Sequence, residues 1–216
     1  VGAQTGEYFG ISVSLSSSGN TLSIGGTNGN NIPVNGVLRV YEWSDNNWIQ
    51  KGETISSELG SYFGYRHCMN SGGDIIAVSS PFMNNNTGKV KIFRWIDSEW
   101  IQHGQTLTGH QEGILFGRHL SFNNSGNLLS VGATPYGSSN YEGSVHLYKF
   151  QDDSWFEIGN PILGDNQNDD FGKRIIRGRS ISTVPYNSGT IQCKHGENCK
   201  RLCRGLPFAW NCNQCL

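Results

Sequence analysis

Residues 9–26 read FGISVSLSSSGNTLSIGG, and two similar stretches follow: FGYRHCMNSGGDIIAVSS at residues 63–80 and FGRHLSFNNSGNLLSVGA at residues 116–133. A fourth Phe-Gly pair stands at residues 171–172, so the pairs are spaced by 54, 53 and 55 residues. After each full stretch come an Asn/Gly-rich segment of variable length and a second shared motif, such as GVLRVYEWSDNNWIQKG. Recurrence at a fixed period indicates a repeat architecture. The sequence therefore predicts three full units and the start of a fourth.

Each unit is predicted to contain four short strands. In the first unit these are ISVSLS, TLSIGG, VLRVYEW and WIQKGETI, all rich in β-branched or aromatic residues and separated by Gly, Asn, Ser or Asp. The Ser-Gly pairs at residues 18–19, 71–72 and 125–126 are expected to form the first hairpin turn, because Gly readily adopts a positive φ. Four short antiparallel strands in about 50 residues are typical of a β-propeller blade.

The third connection of each unit, SDNN, IDSE or QDDS, is predicted to be a four-residue hairpin loop. Residues that flank such a loop face each other across the two strands, so their rings are expected to pair. This explains most of the aromatic content as structural. The pairs are Trp43 with Trp48, Trp95 with Trp100, and Phe150 with Trp155.

The Phe-Gly pair that opens a strand, followed by a hairpin into LSIGG, IAVSS or LSVGA, resembles the FG-GAP repeat of integrin-α-type β-propellers. The resemblance covers about residues 6–172. It implies an all-β fold of four-stranded antiparallel blades and, since such propellers usually have seven blades, either a longer chain or an atypical small propeller. The resemblance also implies that a protein ligand binds on the face formed by the long loops.

Many FG-GAP blades carry a calcium-binding loop between their first two strands, but the corresponding loops here are SSSGN, NSGGD and NNSGN. Calcium takes six to eight oxygen ligands, with carboxylates among them, and Asp74 is the only carboxylate in these loops. We therefore expect no metal ion and no cofactor. The sequence also lacks an HExxH motif, a G-x-S-x-G motif and a phosphate-binding loop, so no enzymatic activity is expected.

Two kinds of residue are candidates for binding. In a four-stranded blade, the connection between the second and third strands emerges on the same face as the link to the next blade, and binding residues concentrate on such loops. Loop filler is the alternative interpretation for the candidates there, which are Asn31, Phe82, Tyr136 and Tyr141. A second set lies in the first strand of a blade, the strand that lines the central channel. These residues are expected to form a cationic patch that binds an anionic sugar or carboxylate. The alternative is that they only occupy polar positions at the strand ends. This set contains Arg66, His67, Arg118 and His119.

The net charge of −1 over 216 residues is the sum of two unlike regions. Residues 1–172, predicted as the propeller blades, carry −8, and residues 173–216 carry +7. The blades are therefore poorly suited to nucleic acid, which is bound through clustered Lys and Arg. No apolar run is long enough to span a membrane. The glycosylation patterns at Asn85 and Asn123 weakly favour an extracellular or cell-surface location.

Residues 173–216 do not continue the repeat, and five of the six cysteines lie there: Cys193, Cys199, Cys203, Cys212 and Cys215. Three interpretations stay open. They are a zinc site that includes His195, a small disulfide unit with one cysteine left over, and a degenerate blade or out-of-frame segment.

Together these observations predict a non-enzymatic binding or adhesion module that uses its loop face to bind a protein or a glycan, as part of a longer chain. Two alternatives are kept. One is a structural repeat of a larger surface protein. The other is a propeller enzyme that acts on a polyanionic sugar through the channel residues.

Overall fold

The computed structural model describes residues 2, 6–27, 35–59, 62–137, 140–167, 171–177 and 191–192. Three antiparallel sheets are formed, one from each repeat unit, and we call them blades 1 to 3. Blade 1 contains β1 (Ser12–Leu15), β2 (Thr21–Gly26), β3 (Asn35–Ser44), β4 (Asn47–Gln50) and β5 (Ile55–Leu59). Blade 2 contains β6 (Arg66–Met69), β7 (Ile75–Ser80), the short α1 (Met83–Asn86), β8 (Lys89–Ile96), β9 (Glu99–Gln102) and β10 (Leu107–Thr108).

Blade 3 contains β11 (His119–Phe122), β12 (Leu128–Ala133), β13 (Glu142–Gln151), β14 (Ser154–Glu157) and β15 (Ile162–Gln167). After it, β16 (Ile176–Arg177) pairs with β17 (Ile191–Gln192), which is the start of a fourth sheet. The predicted all-β fold of propeller-type blades with a partial fourth unit is therefore confirmed.

The outer strand of each blade is split into two segments. In blade 1, β4 pairs with residues 41–44 of β3, and β5 pairs with residues 35–38 on the same side. Blades 2 and 3 repeat this arrangement around β8 and β13. Gly52 has a φ of +76° and Gly104 a φ of +78°, and both lie between the two segments. The predicted fourth strand of blade 1, WIQKGETI, contains most of β4 but only the first residue of β5, so the outer strand continues further than predicted.

The outer hairpin turn is shorter than predicted. Trp43 lies directly opposite Trp48, and Ser44 pairs with Asn47, so the loop has two residues rather than four. Asp45 and Asn46 both have positive φ values, which a type I′ turn requires and which Asn and Asp tolerate. The Trp43 and Trp48 rings pack edge to face with centroids 5.3 Å apart, so the predicted ring pairing is confirmed.

The Phe-Gly pairs join neighbouring blades. Phe63 and Phe116 are fully buried between blades, at 1% and 0% exposure. Gly64 has a φ of +83°, and a Cβ atom there would lie 2.5 Å from the carbonyl oxygen of Val37 in the preceding blade. Both the backbone conformation and the close approach therefore require glycine, which explains why the pair recurs.

The hydrophobic core lies between the blades. One cluster, which includes Leu38, Phe63 and Ile76, joins blades 1 and 2, and a second, which includes Ile92, Phe116 and Leu129, joins blades 2 and 3. The innermost strands β1, β6 and β11 lie side by side, with β16 next to β11. This packing brings the starts of β6 and β11, and the links that precede them, to one end of the inner strands.

Candidate functional site

An aromatic cluster lies at that end of the inner strands. The Phe82 ring, just after β7, is 5.1 Å from the Tyr62 ring and 5.2 Å from the Tyr65 ring, measured between centroids. Tyr136, in the corresponding loop of blade 3, lies 5.9 Å from Phe82 and is 56% exposed. The link before β6 and the loops after β7 and β12 therefore meet on one face, and their four rings form one continuous surface.

Two arginines flank this cluster. The Arg66 guanidinium lies 4.8 Å from the centroid of the Tyr65 ring, and its Nη1 donates a hydrogen bond of 3.1 Å to the Tyr65 carbonyl. The Arg118 guanidinium lies 5.1 Å from the same ring and 5.9 Å from that of Phe82, and it donates a hydrogen bond to the Tyr65 hydroxyl. Aromatic faces attract cations, so the rings hold both guanidinium groups in place.

Neither Arg66 nor Arg118 forms an ion pair with a carboxylate among the described residues. The ion pairs found there join Arg39 with Glu7, Lys51 with Glu42, and His146 with Glu157. An arginine without a counter-charge binds planar carboxylates and phosphates well, because its N–H groups form a rigid fork. The local charge is therefore positive, although blades 1 to 3 are acidic as a whole.

His119 adds a neutral base to this end of the inner strands. The ring is half-buried, and its Nδ1 has no hydrogen-bond partner among the described residues. Burial lowers the pKa of His119 to about 4, and the positive charges of Arg66 and Arg174 contribute in the same direction. The imidazole is therefore uncharged near neutral pH, and its Nδ1 is a buried atom. We call Tyr62, Tyr65, Arg66, Phe82, Arg118, His119 and Tyr136 the arginine–aromatic site.

His67 is separated from this site. It pairs with Val78 in β7, just as Leu120 pairs with Val131 in blade 3, so His67 and Leu120 hold equivalent positions. Because neighbouring side chains of a strand point to opposite faces, the His67 side chain points away from that of Arg66. The ring is 7% exposed, and its Nε2–H donates a hydrogen bond of 3.2 Å to the Ser23 carbonyl of blade 1. Burial lowers its pKa to about 4. The sequence interpretation that placed His67 in the channel is therefore corrected: it packs between blades.

The remaining loop candidates do not join the arginine–aromatic site. Tyr141 is 38% exposed, and within the described part of the chain its ring does not contact the rings of Tyr62, Tyr65, Phe82 or Tyr136. Asn31 lies outside the described residues. Tyr62 and Tyr65 were missed by sequence reasoning, although alignment of the repeats places Tyr65 at the position of Arg118, immediately before the inner strand.

The two glycosylation candidates differ in their surroundings. Asn85 is exposed on the loop that contains α1, and its Nδ2 donates a hydrogen bond of 3.1 Å to Glu112. Asn123 is only 7% exposed, and its side-chain oxygen accepts hydrogen bonds from the backbone of Gly126 and Leu128. A glycan on Asn123 would require loss of these bonds, so Asn85 alone stays a candidate acceptor.

The tail cysteines and His195 lie outside the described residues, and their interpretation stays open. Cys68 is half-buried beside the core between blades 2 and 3. Within the described part of the chain, no three His, Cys, Asp or Glu side chains come together as metal ligands. No helix among the described residues is long and apolar enough to cross a membrane.

Comparison with known proteins gives a fold likeness only. No protein-family model matches the chain, and no curated protein matches it in sequence. A solved structure from Bacteroides uniformis, provisionally named a 6-phosphogluconolactonase, is similar over 77% of this chain and 43% of its own, with 14% identity and a TM-score of 0.49. A second, from Lactobacillus plantarum, covers 73% of this chain and 70% of its own, with 8% identity and a TM-score of 0.25.

This chain therefore spans less than half the length of the Bacteroides protein. Because that neighbour bears an enzyme's name, the expectation of a non-enzymatic binding or adhesion module is contradicted, and it is corrected here. At such low identity the likeness concerns the fold alone, and the activity of that protein is not transferred to this chain.

Proposed function

We propose that the chain is part of an enzyme that binds an anionic sugar at the arginine–aromatic site and removes a proton from it. The observation that carries the proposal is the grouping of Arg66 and Arg118, both without a carboxylate partner, with the neutral, half-buried His119. The arginines would hold the carboxylate of a uronic acid, and the Tyr136 ring, which is the exposed ring of the cluster, would stack against a sugar face.

The residues favour elimination over hydrolysis. A glycoside hydrolase uses two carboxylates that flank the scissile bond, and none of the residues of the arginine–aromatic site carries a carboxylate. In the proposed step, the His119 imidazole takes the proton from the carbon next to the carboxylate. A carbon–carbon double bond forms as the bond from the neighbouring carbon to the glycosidic oxygen breaks, and that oxygen takes a proton from water and leaves as the alcohol. Arg66 and Arg118 stabilise the negative charge that develops on the carboxylate.

A bound anion also adjusts the base. His119 has its low pKa because of burial and the nearby positive charges of Arg66 and Arg174. A carboxylate placed between these groups offsets the positive charge and raises the pKa of His119 toward its ordinary value. The base therefore becomes stronger when substrate is bound, as general-base catalysis near neutral pH requires.

The test uses oligogalacturonate as the anionic probe and a neutral glucose oligomer of the same length as its control. The intact chain is expected to bind the anionic oligomer more tightly and to generate an unsaturated product detectable by ultraviolet absorbance. Loss of one charge-assisted contact in Arg118→Ala should weaken binding about tenfold or more. His119→Gln should lower turnover about a hundredfold or more and leave binding largely intact.

Arg94→Ala is the matched control, because Arg94 is an exposed arginine of blade 2 outside the site. Equal binding of charged and neutral oligomers, or an equal loss in Arg94→Ala and Arg118→Ala, would contradict the proposal. Absence of both binding and turnover would favour the remaining alternative, a structural repeat of a larger surface protein.

We also propose that the blades are FG-GAP-like and belong to a longer extracellular or cell-surface propeller protein. The support is the equivalent placement of the Phe-Gly pairs, with positive φ at Gly64, Gly117 and Gly172, and the exposed acceptor Asn85. Mass spectrometry of the chain secreted from a eukaryotic host tests the location: a glycan on Asn85 is expected, and its absence would count against it.

A further inference from the structure

A second polar cluster lies in blade 3, between this blade and blade 2, and is separate from the arginine–aromatic site. Ser144 and His146 stand two residues apart on β13, so their side chains lie on the same face of the strand. The Ser144 Oγ is 3.0 Å from His146 Nε2, and His146 Nδ1 is 2.7 Å from Glu157 Oε1 on β14. The three groups therefore form a continuous hydrogen-bonded line.

The direction of each hydrogen bond follows from the acceptors. An ionised carboxylate only accepts, so the proton of the imidazole lies on Nδ1 and is donated to Glu157. Nε2 then has a lone pair and accepts from the Ser144 hydroxyl. Burial lowers the pKa of His146, the bond to Glu157 acts in the opposite direction, and nearby His110 lowers it further. Near neutral pH the ring is therefore the uncharged tautomer that can take a proton from the serine.

The ring of His146 is held on both sides. Its centroid lies 4.7 Å from that of His110, which is exposed, and 5.4 Å from that of Phe116, which is fully buried. His146 is 1% exposed and Ser144 is 8% exposed, whereas about a third of the Glu157 side chain is exposed. Ser144 is therefore nearly closed to solvent, which favours a small substrate, and the exposed neighbours of the His146 ring are His110 and Glu157.

The fold itself does not require these three residues. The strand register places Val37, Arg39 and Gln50 at the same positions in blade 1, and Lys89, Lys91 and Gln102 in blade 2. Both sets belong to blades with the same strand order, so a blade forms without the serine–histidine–glutamate line. Of the three described blades, only blade 3 carries it.

We propose that Ser144 is a nucleophilic serine that transfers the acyl group of small esters to water. His146 acts as its base, and Glu157 is a positioning residue that fixes the tautomer. Oγ attacks the ester carbonyl as its proton passes to Nε2, and His146 then protonates the departing alcohol. Water, activated by the same ring, releases the acid and restores the serine.

The test is covalent labelling of the full chain with a small fluorophosphonate. The Oγ–phosphorus bond forms, the phosphorus–fluorine bond breaks and the serine proton passes to His146, so one adduct is expected on Ser144 by peptide mapping. Labelling should disappear in Ser144→Ala and slow about a hundredfold in His146→Gln, as expected when a general base is removed. In Glu157→Gln the rate should fall less, with a changed pH profile, because the positioning contact is weakened.

Ser130→Ala is the matched control, since Ser130 is similarly buried on β12 and its hydroxyl donates to the Ser121 carbonyl. This variant and Arg94→Ala should both label at the normal rate. Labelling of Ser144 by a chain that forms no unsaturated product from oligogalacturonate would separate the inference from the proposed sugar site. Peptide mapping of the unsubstituted chain does not depend on how any variant folds. Absence of an adduct on Ser144, or an equal rate in His146→Gln, would overturn the inference.

Discussion

The innermost strands of blades 1 and 3 have the same pattern but different surroundings. Val13 and Leu15 on β1 hold the positions of Leu120 and Phe122 on β11, as the pairing with the second strand shows. Their exposures are 64% and 55% in blade 1, against 4% and 3% in blade 3. Alternation along a strand thus determines which residues share a face, whereas burial of that face depends on a preceding blade.

The largest expected difference concerns the Phe-Gly pairs. Phe116→Ala removes a fully buried ring between blades 2 and 3 and should lower the free energy of unfolding by about 3–5 kcal/mol. Phe9→Ala should cost less than half as much, because Phe9 is only half-buried and packs against Arg39. Denaturant unfolding measures both values. Equal losses would show that the two links are equally packed in solution.

The second difference concerns the inner strands themselves. Leu120→Ala creates a cavity in the packed face of β11 and should cost about 3 kcal/mol. Val13→Ala changes an exposed side chain and should alter the free energy of unfolding by no more than about 0.5 kcal/mol. The same denaturant experiment compares them. A large loss in Val13→Ala would mean that β1 is covered in solution.

The third difference concerns how stability depends on pH. In blade 2 the position that corresponds to Leu120 is held by His67. Its pKa in the folded chain is about 4, below the ordinary value of 6.5, so the unfolded chain binds a proton that the folded chain does not. Stability should therefore fall as pH falls below about 6.5, by about 2 kcal/mol near pH 5.

His67→Leu introduces the residue found at this position in blade 3 and should flatten that part of the stability profile. Thermal unfolding measured from pH 7 to pH 5 tests this, and Val13→Leu, which changes no titratable group, is the control. An unchanged profile in His67→Leu would place the pH dependence on other groups.

The smallest difference lies in the first hairpin turn. The side-chain oxygen of Asn123 accepts hydrogen bonds from two backbone N–H groups in blade 3, whereas Ser16 Oγ accepts one, from Thr21, in blade 1. Asn123→Ala should cost about 1.5 kcal/mol and Ser16→Ala about 0.5–1 kcal/mol. Hydrogen exchange at the turn amides and the free energies of unfolding test whether Asn123→Ala costs more than Ser16→Ala. A larger cost for Ser16→Ala would contradict the prediction.

The sequence predicted the blades because their signals are local. A glycine with positive φ after each buried phenylalanine, and Asp or Asn in each outer turn, meet conformational needs that can be inferred from a few residues. The predicted length of the outer loop was wrong by two residues, since alternation alone does not fix where pairing ends. In blade 2 the first turn uses Gly73 rather than the predicted Gly72.

The candidate site was harder to predict because it depends on register and on contacts between blades. Arg66-His67 and Arg118-His119 look equivalent as dipeptides, but the repeats align with an offset of one residue, so Arg66 corresponds to His119 and His67 to Leu120. An offset of one moves a side chain to the opposite face of a strand. Phe82 and Arg118 were predicted as members of different sets, and only the packing of blade 3 against blade 2 brings them together.

The split outer strand has a consequence for aggregation. An unpaired sheet edge is a template for strands of other molecules, and long, flat edges are the most hazardous. Here each blade ends in two segments of at most six residues, and a glycine with positive φ, Gly52, Gly104 or Gly159, lies between them. An incoming strand therefore finds no continuous row of backbone groups along the outer edge of a described blade, which disfavours edge-to-edge pairing with another molecule.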